Sequence, residues 1–258
     1  MNKIIFFGNG PLADYSKAIL KQSFEIVFHA RTKEDLEEVK RLKAENPELK
    51  GILASFGVMI KSDVLDLFEP EGILNIHPSL LPKYRGSSPI ETAILNGDKE
   101  LSVSIMKLVK AMDAGPIYYQ DTFTFNNNEE KDLIYKTLSE AGANWLVKNI
   151  DNLPAPVEQD NSKATFTAKL DKSMSPLKPE TKSADELLNE VRAFKGFPKS
   201  KHDFFGLDCI VLKAHTSDSE ESRLSLKCVD DRYLIVDEIQ PAGRKPMDAK
   251  SFLNGYAK

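Results

Sequence analysis

Apolar runs alternate with helical patterns through residues 3–77, and this alternation restricts the fold more than any other feature of the sequence. Four short apolar runs are bounded by polar or turn-forming residues, at 3–7, 24–28, 51–56 and 72–77. Between these runs, apolar residues recur at helical spacing. Strands that alternate with helices form a parallel sheet covered by helices on both faces. The sequence therefore predicts an α/β protein with a doubly wound, mainly parallel sheet.

Ligands of such sheets bind beyond the carboxyl ends of the strands. Three segments of this sequence follow predicted strands: the turn at 8–12, the segment 56–60 and the loop that begins at Asn75. We expect these segments to meet at one edge of the sheet and to carry the functional site.

A change of pattern after residue 152 indicates a second domain. The first domain is predicted to span 1–152 and ends with a long helical stretch. Residues 153–180 have no clear periodicity and are typical of a linker. Prolines interrupt this segment, among them Pro154, Pro156 and Pro176.

The predicted second domain spans 181–258 and is rich in strands. It begins with a helix over 183–194, in which Ser183 and Glu186 resemble a capping box. Three β-rich runs follow, at 208–214, 223–229 and 233–239.

Composition excludes several classes of protein. The chain has 258 residues, of which 41% are hydrophobic and 29% charged, and this is ordinary for a globular protein. No apolar run approaches the ~20 residues of a membrane span, so we expect a cytoplasmic protein that does not associate with membranes. The net charge of −4 does not indicate a nucleic-acid binder. Cys209 and Cys228 lack metal-type spacing, and we interpret them as buried free thiols.

Asn75 and His77 are candidate catalytic residues because they alternate within the fourth apolar run. Side chains two residues apart in a strand point to the same face. An amide and an imidazole can both donate hydrogen bonds, and two donors suit an oxyanion that develops at an attacked carbonyl. The alternative is structural, with Asn75 capping a turn beside a surface histidine, and composition alone favours it.

Asp113 is a third candidate, in the small-residue segment 110–116 between two predicted strands. An aspartate near a glycine is commonly an ordinary turn residue. The functional interpretation is a carboxylate that relays a proton or orients His77. Spacing does not join Asp113 to Asn75, so the residues alone leave both interpretations open.

A longer series of motifs resembles the 10-formyltetrahydrofolate-dependent formyltransferase family. The motifs are, in order, NIHPSLLPKYRG at 75–86, PI at 89–90, NGD at 96–98 and MDAG at 112–115. The resemblance implies 10-formyltetrahydrofolate as co-substrate, no metal, and a catalytic set formed by Asn75, His77 and Asp113. It also implies a folate-binding surface formed by Phe56, Gly57, Val58, Met59, Ser79, Leu80, Leu81, Pro82, Val109 and Met112.

The second domain is similar to that of the family branch that formylates initiator Met-tRNA. The similar segments are TFTAKL at 165–170, VRAF at 191–194 with FP at 197–198, and QPAGRKPM at 240–247 with FLNG at 252–255. In that branch the second domain is a small OB-like β-barrel that helps to hold tRNA. The resemblance thus implies initiator Met-tRNA as partner, and we expect a monomer. The implied tRNA contacts are Arg85, Arg192, Lys195, Lys199, Lys201, Arg244 and Lys245.

Two features depart from that branch. Only a short connection follows the strand 24–28, where the branch usually carries a long basic insertion that reaches the acceptor stem. The C-terminal domain also looks one strand short.

Three other functions are alternatives to the formylation of initiator Met-tRNA. A sugar N-formyltransferase that acts on a nucleotide-linked amino sugar is the main alternative. GNGPLA at 8–13 also matches a dinucleotide fingerprint, but the acidic residue expected to close the second strand is missing, so an NAD-binding oxidoreductase is a distant alternative. A non-catalytic RNA-binding relative is disfavoured, because Asn75, His77 and Asp113 are all intact.

Overall fold

The computed structural model of the chain describes residues 2–126 and 129–256. These residues form two compact units. The first unit contains the described residues up to Ile90 together with those from Lys99 to Ala168. The second contains Glu91–Asp98 together with the described residues from Lys169 onward. The two units therefore interleave along the chain.

A six-stranded sheet forms the centre of the first unit. Its strands are β1 (Asn2–Gly8), β2 (Phe24–Ala30), β3 (Lys50–Ala54), β4 (Ile73–His77), β5 (Glu100–Lys107) and β6 (Ile117–Thr124). They are ordered β2-β1-β3-β4-β5-β6. The first four pair in parallel, whereas β5 and β6 are joined to them by antiparallel pairing. The predicted mainly parallel, doubly wound sheet is confirmed.

Among the described residues, five helices lie between residues 10 and 149: α1 (Gly10–Leu20), α2 (Asp35–Glu45), α3 (Ser62–Leu65), α4 (Pro89–Leu95) and α5 (Lys131–Asn149). Most of α4 groups with the second unit. The sequence predicts a start of α1 near residue 14, but the helix begins at Gly10. The reason is Pro11, which occupies the first turn, where a missing N–H costs nothing. A 3₁₀ turn at Asp66–Phe68 extends α3.

The connection between β2 and α2 consists of residues 31–34. The Asp35 carboxylate accepts the backbone N–H groups of Arg31 and Thr32, at 2.6 and 2.8 Å. These two bonds hold the connection as a tight turn. The sequence predicts a helix over 32–45, and α2 begins three residues later, at Asp35. The short connection expected from the sequence is confirmed.

Close backbone packing places the carboxyl ends of β1, β3 and β4 side by side. Gly8 pairs with Ala54, and Leu53 pairs with Asn75. A Cβ at Gly8 would lie 2.1 Å from the carbonyl oxygen of Ala54, so only glycine permits this approach. The expected edge therefore exists, and the loops after these strands begin there.

Residues 153–168, within the predicted linker, pack on the first unit. Val157 and Ile117 form a bridge with two backbone hydrogen bonds of 2.8 Å. Phe166 forms a second bridge, with Arg85. The prolines in this stretch remove the periodicity that would reveal such pairing, so the sequence gives no sign of it.

The second unit is a curled antiparallel sheet with two helices, in agreement with the predicted small OB-like domain. Its strands are β7 (Ser200–Phe204), β8 (Leu207–Ser217), β9 (Ser225–Lys227), β10 (Tyr233–Pro241) and β11 (Met247–Asp248), and its helices are α6 (Ala184–Ala193) and α7 (Ala249–Tyr256). The strand order is β11-β10-β8-β7, with β9 also paired to β10. Leu187, Val211, Leu234 and Phe252 lie in its buried apolar core.

The sequence missed β7, β11 and α7. Among the described residues this unit has five strands, of which three lie in the β-rich runs expected from the sequence. β7 escapes detection because Phe204 is its only large apolar residue, while its other buried position is Ser200. The capping box of Ser183 and Glu186 is confirmed, as are the buried free thiols of Cys209 and Cys228.

Among residues 2–126 and 129–256, no helix has the length and apolar character that a membrane span requires.

Gly142 of α5 provides a test of the packing beneath β4. A Cβ at this position would lie 2.8 Å from Ile76 and 3.2 Å from Val103, in the centre of the sheet. We expect Gly142→Ala to lower the free energy of unfolding by about 1–3 kcal/mol through overpacking, although alanine favours helix. Urea denaturation measures this loss. Asn144→Ala on the exposed side of the same helix is the control, and an equal loss in both variants would contradict the packing argument.

Candidate active site

β4 carries Asn75 and His77 into a buried position of the first unit. The two residues are two positions apart on the strand, so their side chains point to the same face, and each residue is 4% exposed. In the register with β5, Asn75 lies opposite Met106 and His77 opposite Ser104. Within the described residues, the side-chain amide of Asn75 makes no hydrogen bond. A buried amide with this capacity unused is suited to a ligand oxygen.

The imidazole of His77 faces an oxygen at each of its two nitrogens. Its Nε2–H donates to the backbone carbonyl of Tyr84, at 3.1 Å. Its Nδ1 lies 3.8 Å from Oδ2 of Asp113. This second distance is too long for a direct hydrogen bond, but the charge of the carboxylate acts on the ring at this range. The Tyr84 carbonyl thus fixes the ring, and Nδ1 is turned toward the carboxylate.

Asp113 is held by its side chain and by an unusual backbone. Its Oδ2 accepts the backbone N–H of Gly86 at 2.8 Å. The backbone of Asp113 has a φ of +47°, in the left-handed region that aspartate tolerates better than most residues. The structure therefore brings His77 and Asp113 together across 36 residues of sequence, and Asn75 lies on the same strand as His77.

Gly115 explains how the Asp113 loop returns to the sheet. A Cβ at Gly115 would lie 1.9 Å from the carbonyl oxygen of Lys107, at the end of β5. Only glycine allows this contact. The glycine in this small-residue loop is thus required by the close return of the chain to β5.

Ser104 and Gln120 hold the loop that follows His77, and the sequence analysis missed both. The Ser104 hydroxyl donates to the carbonyl of Ser79 at 2.6 Å and accepts the N–H of Leu81 at 3.2 Å. Gln120 donates to Ser104 and to the carbonyl of Leu81, at 2.9 and 3.0 Å. The sequence does not reveal them, because a polar residue on β5 or β6 can be linked to the loop after β4 only once the pairing of the strands is known.

The residues predicted to bind folate fall into three groups by exposure. Phe56, Ser79 and Leu81 are buried, and Phe56 contacts Phe7 edge to face with ring centroids 5.6 Å apart. Val58, Pro82 and Val109 are half-buried. Gly57, Met59, Leu80 and Met112 are exposed, with Met59 at 73% and Met112 at 58%. Exposed large apolar side chains of this kind often mark a binding surface.

Arg85 does not lie at the surface where a tRNA contact would require it. The residue is 4% exposed, and its guanidinium donates to Gln159 and Asn161. The other predicted tRNA contacts belong to the second unit. Lys195, Lys199, Arg244 and Lys245 are exposed, whereas Arg192 is half-buried and donates to Asn189, and Lys201 pairs with Asp208 at 2.8 Å.

The turn after β1 contains no carboxylate that would bind a ribose. His29, near the end of β2, donates from Nε2 to the carbonyl of Gly8 at 2.9 Å, and burial lowers the pKa of this histidine. Asn9 donates to the carbonyl of Arg31. These hydrogen bonds engage the turn locally, and β2 ends without the acidic residue that the dinucleotide fingerprint requires, because Glu25 lies near its start.

In the part of the chain that the structure describes, no group of three or more His, Cys, Asp or Glu side chains is arranged to hold a metal ion.

Comparison with known proteins assigns this site to a class. Residues 11–150 match the family model described as formyl transferase, and residues 169–257 match the C-terminal domain of formyl transferase. The first match covers more than half of the chain. The chain belongs to the formyltransferase family and is an enzyme that transfers formyl groups.

Within this family, the chain belongs with the methionyl-tRNA formyltransferases. It is 33% identical to the methionyl-tRNA formyltransferase of Methylobacillus flagellatus over 83% of this chain and 73% of that protein. It is 35% identical to that of Borrelia hermsii over 85% of this chain and 75% of that protein.

Solved structures show the same fold at lower identity. Methionyl-tRNA formyltransferase from Clostridium thermocellum superposes with a TM-score of 0.69 at 18% identity, over 93% of this chain and 98% of that one. HypX from Aquifex aeolicus, solved in complex with tetrahydrofolic acid, superposes with a TM-score of 0.74 at 15% identity, over 100% of this chain and 48% of that one.

Ser104→Ala tests the support of the loop after β4. The variant removes one buried hydroxyl that serves Ser79, Leu81 and Gln120, and leaves their groups without this partner. We expect a loss of about 1–3 kcal/mol in the free energy of unfolding, measured by urea denaturation. Ser102→Ala is the matched control, because Ser102 lies on the same strand and shares one hydrogen bond, with Thr122. A Ser102→Ala loss as large as that of Ser104→Ala would contradict the role assigned to Ser104.

Proposed function

We propose that this enzyme transfers the formyl group of 10-formyltetrahydrofolate to the amino group of methionine on initiator Met-tRNA. The observation that carries the proposal is the pair formed by buried His77 and half-buried Asp113, 3.8 Å apart, with Asn75 on the same strand as His77. Sequence similarity to methionyl-tRNA formyltransferases supports the choice of acceptor. We further propose that the enzyme acts as a monomer in the cytoplasm.

Asn75 and His77 are proposed to stabilise the charge that forms on the formyl oxygen. The methionine amine attacks the formyl carbon, and the carbonyl π electrons move to its oxygen. A neutral hydrogen-bond donor in a buried position stabilises such an oxyanion strongly, because water does not screen the interaction. The unused amide of Asn75 is such a donor. The Nε2–H of His77 is held by the Tyr84 carbonyl, so the second donor is proposed to be Nδ1 of this ring in its protonated form.

Asp113 is proposed to move the proton that the attacking amine must lose. As the new C–N bond forms, the amine nitrogen becomes positive and releases a proton. The bond between the formyl carbon and N10 of the folate then breaks, and N10 needs a proton as it leaves. A carboxylate beside an imidazole can accept the first proton and supply the second, either directly or through water. The products are formylated methionine on tRNA and tetrahydrofolate.

The segment after β3 offers room for a flat ring against the backbone. Gly57 has a φ of +72°, and a Cβ placed on it would meet nothing within 4 Å. The neighbouring Met59 and, on other loops, Leu80 and Met112 expose large apolar side chains. Apolar side chains together with open backbone polar groups suit a pterin, which combines a flat face with hydrogen-bonding edges. We therefore assign these residues to the folate surface.

The second unit supplies the proposed contacts to tRNA phosphates. Lys195, Lys199, Arg244 and Lys245 carry exposed positive charge, and Arg85 is excluded because it is buried. Arg244 and Lys245 lie between β10 and β11, where the Gln240 amide donates to the Arg244 carbonyl at 3.0 Å. Residues 31–34 are too few to contribute a long basic loop, so the phosphate contacts of the second unit carry more of the binding.

Acceptor profiling with purified enzyme tests the proposed function. With 10-formyltetrahydrofolate as donor, we expect formylation of initiator Met-tRNA and none of a nucleotide-linked amino sugar. Asp113→Asn should lower kcat about 10²–10⁴-fold, because it removes the proton carrier. Asp66→Asn, the same change at an exposed position, should leave kcat unchanged. Formylation of the sugar alone, or a wild-type rate for Asp113→Asn, would contradict the proposed function.

Salt dependence tests the phosphate contacts separately. We expect Arg244→Ala and Lys245→Ala to raise KM for Met-tRNA with little change in kcat. Each lost phosphate contact should lower the slope of log affinity against log salt by about 1. Lys250→Ala, in the exposed part of α7, is the control. If the slope is the same in all variants, Arg244 and Lys245 do not contact phosphate.

A further inference from the structure

Gln159 makes four hydrogen bonds that join two parts of the candidate active site. Its Nε2 donates to the backbone carbonyls of Asp113 and Gly115, at 2.9 and 2.7 Å. Its Oε1 accepts from Nε and Nη2 of Arg85, at 3.1 and 2.7 Å. The side chain is buried, and both its amide hydrogens and its oxygen are used. With these four bonds, one neutral side chain connects the Asp113 loop to Arg85, which is more than the support of a local turn.

Together with a bond from Gly86 to Asp113, these hydrogen bonds form a closed cycle that includes the Asp113 carboxylate. Gln159 connects the guanidinium of Arg85 to the backbone of Asp113. The Asp113 carboxylate then accepts the N–H of Gly86, the residue that follows Arg85 in the chain. The backbone of Arg85 is itself fixed on both sides, because its N–H donates to Thr165 and its carbonyl accepts from Thr167. The aspartate is thus held at its backbone and at its carboxylate by one connected frame.

The backbone of Asp113 needs such support. A φ of +47° is sparsely populated by residues other than glycine, so the loop would relax toward other conformations without external bonds. A change in this backbone would swing the carboxylate away from the 3.8 Å separation that it keeps from the His77 ring. Catalytic groups must be held close to their productive geometry, and a displacement of about 1 Å can cost ~10²-fold in rate.

We propose that Gln159 is a positioning residue for the reaction, which sets the orientation of the Asp113 carboxylate and is itself oriented by Arg85. The inference rests on the role proposed for Asp113 in formyl transfer. It also gives the stretch around residue 159 a place in the active site. Arg85 acts in the same frame, as a bidentate donor buried beside the site.

Gln159→Glu is the most informative variant, because it removes the hydrogen bonds to Asp113 and Gly115 and keeps those from Arg85. The new carboxylate still accepts from Arg85, but it has no hydrogens for the carbonyls of Asp113 and Gly115 and repels both oxygens. We expect kcat to fall about 10–100-fold, with KM for folate and for Met-tRNA within about twofold of wild type. Gln22→Glu, the same change at an exposed position of the same unit, should behave as wild type. Unchanged kcat in Gln159→Glu would overturn the proposal.

A double-mutant cycle separates positioning from a general structural role. In an Asp113→Asn background, Gln159→Glu should cost less than about threefold, because the group that it positions no longer acts. A merely structural role would lower the active fraction by the same factor in both backgrounds, and that outcome would overturn the proposal. Gln159→Met, which removes the polar bonds without adding charge, repeats the comparison if the glutamate variant folds poorly.

Hydrogen exchange of the Gly86 amide gives a readout that needs no activity. This amide is protected by its bond to the Asp113 carboxylate, so it should exchange faster in Gln159→Glu than in wild type and Gln22→Glu. Unchanged exchange would overturn the inference. Failure of the wild type to formylate Met-tRNA would refute the proposed function instead, and the exchange result would still decide whether Gln159 holds Asp113.

Discussion

The hydrogen bond from the Gly86 amide to the Asp113 carboxylate is the contact on which the site depends. It joins the loop after β4 to the loop after β5, and therefore joins the strand that bears His77 to the carboxylate that faces its ring. Each loop has further supports of its own: Ser104 and Gln120 for the first, Gln159 for the second. Without the shared bond these supports would hold two separate loops. With it, the polar groups of a buried site are fixed before any substrate arrives, which is the condition under which hydrogen-bond donors stabilise a developing charge most effectively.

The sheet and the strand that carries Asn75 and His77 could be predicted from the sequence, because both follow from local periodicity. Buried parallel strands appear as short, continuous apolar runs, and side-chain alternation within β4 places two polar residues on one face. Their chemical role could not be predicted in this way. An asparagine and a histidine at the end of a strand have ordinary structural uses, and only the ordered motifs of the formyltransferase family favour catalysis.

What the sequence does not reveal are the contacts that depend on pairing over long separations. Asp113 approaches His77 because β5 runs antiparallel to β4 and its following loop folds back, which residue spacing does not encode. Gln159 lies in a proline-containing stretch without periodicity, and its three partner residues are 44 to 74 residues away in sequence. β7 has one large apolar side chain and becomes a strand through its pairing with β8. In each case the surroundings in space decide the structure.

The interleaving of the two units has a consequence for synthesis on the ribosome. Glu91–Asp98 group with the residues from Lys169 onward, although the first unit resumes at Lys99. At a translation rate of about 5–20 residues per second, this segment leaves the ribosome several seconds before the chain that completes its unit. Residues 91–95 of α4 therefore cannot complete their packing when they are made, although the first unit continues at Lys99. During synthesis, the unit that contains Glu91–Asp98 can finish folding only after the residues from Lys169 onward have left the ribosome.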